Sequence, residues 1–511
     1  MGDSTPTELS PPSAAEIAAI ADRIDMHLDD EEIEAVAAVA EGMIGAFERL
    51  DQLDEPTPSV DYPDRDAGER VSSADDPLNA WITACEVPGA DAGPLAGYEI
   101  GLKDNVSVAD VELTLGSSMV AGYVPEIDAT IVTRLLDAGA TITGKLNMEA
   151  LALSASGELS DFGPCLNPRS TDHLAGGSSS GSAAAVVAGD VDVAIGTDQA
   201  GSIRIPASWS GCVGLKPTHT LVPYTGIGAL GHTFDHVGPM TTTVADAGIV
   251  LEAIAGKDPL DPRQGAVPTQ AYADAATDPR DPSALTVGVV EQGFGRDESD
   301  PAVDETVRDA LGALEAAGAT VEEVSVPLHR DGEAIFLGFA TQETTDLFRS
   351  EGVGAFGTGF YDTAFAAAFG QGRREHGDTY PPFPKVEMVM GTYLKETYFG
   401  RYHARAQNLR RSLTSAYDEA LGEYDVLAMP TTPMAAHEVV DDPSFLEGLD
   451  RAADMLGNTA PFDATGHPAI NVPCGDAAGL PVGLQFVGEH FDDAAVLSAA
   501  ATFEDAVGWD L

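Results

Sequence analysis

The segment AGGSSSGSAAAVVAGDVDVAIGTDQAGSIRIP, Ala175 to Pro206, concentrates the groups in this chain that could do chemistry. A serine hydroxyl becomes a nucleophile once a neighbouring base takes its proton, and glycine-rich turns let backbone N–H groups approach a reacting oxygen. The pattern of a phosphate cradle is missing: no GKS or GKT follows the glycines, and the GxGxxG spacing is absent. SAAAVVAG reads as a small-residue helix whose N-terminus opens onto the serine cluster. VDVAIGTD reads as a buried strand ending at Asp198. The turn through Gln199, Ala200 and Gly201 to Ser202 can direct consecutive N–H groups inward, as an oxyanion site requires. Taken alone, the cluster has two readings, a tight turn and a catalytic centre.

The elements around it suggest how such a site would be held. Residues 1–12 are Pro/Ser/Thr-rich and expected to fray. Apolar residues then recur at three and four positions up to about residue 53, which predicts two or three amphipathic helices, followed by an extended Pro- and Asp-rich crossing. These form an expected helical N-terminal unit, 1–80. YEIGLKDNVSV, DATIVTRLLDAGA and TITGKLN read as strand, helix and strand, and LTVGVVEQGF begins a second such unit. The expected body is therefore α/β, a sheet covered by helices, with one part spanning 81–330 and a second spanning 416–511. Between them, 331–415 reads as a mostly helical small domain or cap.

Composition narrows the function classes. The chain has 511 residues, 44% of them hydrophobic but only 6% aromatic, so a large core of Ala, Val, Leu and Ile is expected. Asp and Glu number 83 against 26 Lys and Arg, a formal charge of −57, and only six of the basic residues are lysine. Such a surface repels phosphate backbones and anionic lipid, so direct nucleic-acid or membrane binding is not expected. A dispersed acidic, lysine-poor surface resembles that of proteins working in molar salt, where ions screen self-repulsion. Cys85, Cys165, Cys212 and Cys474 show no paired spacing, and neither a signal-type start nor a membrane-length apolar run is present. The expectation is a cytoplasmic protein.

Three elements in order resemble the amidase signature family: KDN at 103–105, GGSSSG at 176–181 and DQAGSIRIP at 198–206, with Ser178 and Ser202 separated by 24 positions. Further stretches, LVPYTG at 221–226, TFDHVGPM at 233–240 and NTAPFDATGHPAINVP at 458–473, are similar to the bacterial amidases found beside nitrile hydratases. The resemblance implies a mixed central sheet with helices on both faces, a helical N-terminal unit, a helical small domain and dimerisation through the N-terminal helices. It further implies that Ser202 is the nucleophile, that Ser178 relays its proton, and that Lys103 is a neutral base, with Ser178 following a cis peptide bond. The implied oxyanion donors are the N–H groups of Gln199, Ala200, Gly201 and Ser202; Ser179, Asp198 and Arg204 would support the loop. The substrate would be a small aliphatic or aromatic amide, with neither metal nor cofactor. The same chemistry would serve the alternative, the glutaminase subunit of a tRNA-dependent amidotransferase.

Two residues depart from the family pattern, Ser180 and Ala200 standing where it has glycine, and Ala200 would be strained if its φ had to be positive. Asp104 neighbours Lys103, but in a strand it would point to the other face. Asp235 is expected to anchor its loop. His232 and His236 lack the partners for a zinc set, and His467 reads as structural. GSSSG at 177–181 matches a hydrolase elbow formally but leaves Lys103 and Ser202 unexplained. Phe336, Phe339 and Phe360 are expected pocket-lining candidates.

Overall fold

The computed structural model describes residues 9–441 and 443–509; the first eight residues of the expected N-terminal unit lie outside it. The chain divides into two compact units, Met1–Pro58 and Ser59–Leu511. In the first, helices Ala14–Arg23 and Asp30–Leu50 pack on each other. Each begins with a capping box, in which Ser13 or Asp29 exchanges hydrogen bonds with the glutamate three residues on; this satisfies N–H groups that the helix itself cannot.

The second unit is built on a mixed sheet. Its strands in chain order begin β1 (Asp66–Arg70), β2 (Trp81–Pro88), β3 (Glu99–Lys103) and β4 (Thr141–Leu146). A separate hairpin, β5 (Leu166–Asn167) and β6 (Ser170–Leu174), precedes β7 (Val193–Asp198), β8 (Val213–Lys216) and β9 (His236–Thr241). There follow β10 (Thr286–Val290), β11 (Thr320–Val324), β12 (Val426–Pro430), β13 (Ala469–Ala477) and β14 (Leu480–Val487). Twelve of them form one sheet in the order β1-β2-β4-β3-β7-β9-β8-β13-β14-β12-β10-β11. β3 runs parallel to both β4 and β7, and β10 parallel to β11 and β12, while β7–β9 and β13–β14 are antiparallel.

Parallel neighbours need a crossover, and the helices Thr130–Asp137 and Pro301–Ala316 supply two of them. The central strands β7, β9, β12 and β14 are buried along their whole length, so both faces carry buried residues and the in-out alternation of a half-exposed strand is lost. Four helices, Gly332–Arg349, Thr363–His376, Pro382–Tyr398 and Arg401–Leu421, follow β11 and make the helical layer expected there. The stretch read as an extended crossing differs. It contains β1, which pairs antiparallel with β2 and forms the sheet's polar edge; its sequence DAGER offered no apolar alternation to signal a strand. No helix among the described residues is long and apolar enough to cross a membrane.

Candidate active site

β3 ends on Lys103, whose side chain is fully buried. Its Nζ lies 2.7 Å from Ser178 Oγ, 2.9 Å from Thr197 Oγ1 and 3.2 Å from Thr197 O, all uncharged oxygens. Burial pulls the amine down to about 7, against the raising pull of Asp198, Glu149 and Asp235. The adjacent Asp104 does not neutralise this effect, because its carboxylate faces away. It accepts 2.8 Å from Lys145 Nζ on β4 and 2.9 Å from the Thr114 N–H, and pairs with the Thr114 hydroxyl. A neutral amine has two hydrogens and one lone pair. With Thr197 O and Oγ1 taking the hydrogens, the lone pair faces the Ser178 hydroxyl and can accept its proton.

Ser178 precedes the helix Ser180–Ala188 and follows a cis Gly177–Ser178 bond. Glu149 fixes this corner. Its N–H donates to Ser178 O at 3.1 Å, and its buried carboxylate accepts from the N–H groups of Gly157 and Leu159 and from the hydroxyls of Ser154 and Ser156. Ser179 turns to β7: Thr197 N–H donates to its Oγ at 3.3 Å, and the hydroxyl donates to Thr197 O at 3.2 Å. Its N–H donates to Ser202 O at 3.2 Å, joining the two serine segments through backbone.

The Ser202 turn is held by charge. Asp198 accepts from Gly201 N–H at 2.6 Å and Ile203 N–H at 3.1 Å, and Arg204 grips it through Nε and Nη2, both at 3.0 Å. Burial alone would raise this carboxyl, yet the guanidinium holds it at about 2. Arg204 reaches further, to Asp463 at 2.6 Å and Gln485 at 2.7 Å, so its fork is filled by three side chains. The bond to Asp198 removes Gly201 from the expected set of free oxyanion donors. Among the described residues, the Gln199, Ala200 and Ser202 N–H groups donate to no protein acceptor.

Gly201 has φ +132°, and a Cβ there would meet Thr459 Oγ1 at 2.3 Å. That hydroxyl donates to Ala200 O at 2.6 Å, which explains why the glycine sits at 201. Ala200 has no positive φ, so its methyl adds no backbone strain.

Ser202, Gln199 and Ala200 line a cavity of about 60 Å³ with Ser154, Phe234, Phe336, Thr344 and Phe383. Among the described residues its one ionisable side chain is Glu387, which burial raises to about 7 and which the Thr341 hydroxyl approaches at 3.4 Å. Phe336 thus lines the cavity as expected. Phe339 packs against Phe234 and Phe336, and Phe360 lines an adjoining, larger cavity of about 120 Å³, which shares Ala152 and Leu230 with the first and lies beside Asn105 and Asp235. Of the two, Ser202 lines the smaller cavity and not the larger one.

Asp235 accepts from the Leu230 and Gly231 N–H groups, both at 3.1 Å, as a loop anchor does. Thr197, Glu149, Thr459, Asp463 and Glu387 were not singled out in the sequence. Thr459 and Asp463, both inside the motif-bearing NTAPFDATGHPAINVP, lay where a signal could have found them.

The Amidase family profile matches residues 76–497, most of the chain and all of the site described above. The chain belongs to the Amidase family. It is therefore a serine-hydrolase-type enzyme with the Amidase α/β fold. An enantioselective amidase of Rhodococcus rhodochrous is 41% identical over 98% of this chain and 97% of its own length. The glutamyl-tRNA(Gln) amidotransferase A-type subunit of Natronomonas pharaonis is also 41% identical, over 83% of this chain and 99% of its own. Six further curated Amidase relatives are amidotransferase subunits of the same type. The crystal structure of the corresponding Thermotoga maritima subunit superposes with a TM-score of 0.71 at 30% identity, covering 85% of this chain and 89% of that one.

Proposed function

We propose that this enzyme hydrolyses small, mainly apolar amides to carboxylate and ammonia through an acyl-Ser202 intermediate. The observation that carries the chemistry is the 2.7 Å contact between Lys103 Nζ and Ser178 Oγ, with only uncharged oxygens as hydrogen-bond partners of the amine. Lys103 takes a proton from Ser178 as Ser178 takes one from Ser202. Ser202 adds to the amide carbonyl, and the N–H groups of Ala200 and Ser202 receive the developing oxyanion. The proton returns through Ser178 to the leaving ammonia, and water then cleaves the ester by the reverse path.

A second reading, the glutaminase subunit of a tRNA-dependent amidotransferase, has the larger number of curated relatives behind it. The lining of the Ser202 cavity supports the first. Among the described residues it contains no lysine, arginine or histidine to meet the α-carboxylate of glutamine, and its apolar walls suit an aliphatic or aryl group. The near full-length correspondence with the enantioselective amidase supports the same choice. Ammonia release from a panel of amides and free glutamine tests it: turnover of glutamine alone, strengthened by a partner protein, would favour the second reading.

Two further properties belong to this reading. The net charge of −57 suits a protein stabilised by molar salt. Helix Asp30–Leu50 buries no residue and exposes Val36, Val39, Met43, Phe47 and Leu50, whose spacing of 3, 4, 4 and 3 puts them on one helix face. This stripe supports a homodimer formed through that helix. Light scattering of the wild type and of Val39→Glu/Met43→Glu tests it, with a monomeric wild type as the contradicting result.

A further inference from the structure

Three side chains far apart in sequence converge away from the serines: Asp418 on the helix Arg401–Leu421, His467 just before β13, and His490 after β14. One ligand-type atom from each lies within 4.8 Å of the others. The hydrogen bonds around them fix where the imidazole protons sit. His490 Nε2 lies 2.8 Å from Thr465 O, and a carbonyl only accepts, so Nε2 carries the proton. The Thr465 hydroxyl donates to Pro461 O at 3.1 Å, so its oxygen, 2.8 Å from His467 Nδ1, is left to accept that proton. In the neutral form both remaining nitrogens are therefore lone pairs, and both face Asp418 Oδ1. His467 Nε2 lies 3.1 Å from it and His490 Nδ1 3.8 Å.

Three acceptors within 4.8 Å of one another repel unless a cation lies among them. A proton on His467 would relieve only that pair, and it would charge a ring that is fully buried. We propose that Asp418, His467 and His490 bind a divalent transition-metal ion of the zinc class. Two imidazoles and a carboxylate are a common zinc donor set, and each imidazole here already has its far nitrogen oriented by a second group, as metal-bound histidines do. Asp418 and His490 are 54% and 31% exposed, which leaves room for water to complete the coordination. Bound there, the ion ties the helical layer to β13 and β14. It also braces the helix Ala460–Thr465, whose Asp463 holds Arg204.

The test is zinc binding by the full chain, stripped with chelator and titrated in molar KCl so that the acidic surface does not collect ions. One equivalent is expected for the wild type, with tetrahedral d–d absorption when cobalt replaces zinc. Asp418→Asn and His490→Ala, at exposed positions, should weaken binding by at least about 10-fold, the loss that even an orienting partner's removal brings. Folding of each variant is checked by circular dichroism, and Asp418→Asn decides if His490→Ala fails to fold. No retention by the wild type, or equal retention by both folded variants, would overturn the site.

Discussion

Lys103 can serve as a base only because it is buried among neutral oxygens, and this makes the pH profile diagnostic. Its folded value is about 7 against an ordinary 10.5, so the neutral form grows as pH rises through 7. We expect kcat/KM to fall about tenfold per unit below that point and to level off above it; a rise continuing toward pH 10 would contradict this. Thr197→Val removes one of the two acceptors that turn the lone pair to Ser178. About 10-fold lower kcat with little change in KM is expected in steady-state assays. The serines and Lys103 were legible because their motifs are contiguous in sequence. Thr197 was not, because nothing local distinguishes a threonine on a buried strand from a core residue until β3 and β7 are paired. The Gly201 N–H was misassigned for a related reason: a turn's composition does not say which N–H a nearby carboxylate captures.

Elements far apart in sequence hold the reactive turn. β7 supplies Asp198, the following helix Arg204, and the helix Ala460–Thr465 both Asp463 and, at its start, Thr459. Burial and the neighbouring Asp198 push the Asp463 carboxyl well above the usual carboxylate range, so the amide of Asp463→Asn replaces a largely neutral partner of Arg204; a loss of about 1–3 kcal/mol is expected in urea denaturation, and a loss of about 3–5 kcal/mol would show that Asp463 carries charge. Thr459→Val is milder in packing but frees Ala200 O, and should lower kcat more than stability. The strands near the motifs and the helices after β11 could be read from periodicity. β1 could not, since it is short, polar and stabilised by pairing at an edge rather than by a buried face. Nor could the meeting of Asp198 with Asp463, a contact between segments more than 250 residues apart that only the assembled sheet creates.

Across the whole molecule, the acidic excess was the plainest sequence signal and bears on stability, not on fold. With repulsion screened over about 10 Å at 0.1 M salt and about 3 Å at 1 M, the melting temperature is expected to rise from dilute buffer to molar KCl; a flat or falling curve would count against a salt-adapted surface. Family, sheet and chemistry agree with one another, whereas the choice between free amides and glutamine rests on the cavity lining against the number of amidotransferase relatives. The most direct test of the central claim is ammonia release in about 3 M KCl by the wild type and by Ser202→Ala. The account predicts release from small apolar amides, reduced by about 10⁴-fold or more in the folded variant. A Ser202→Ala protein that still turns over amides at the wild-type rate would contradict it.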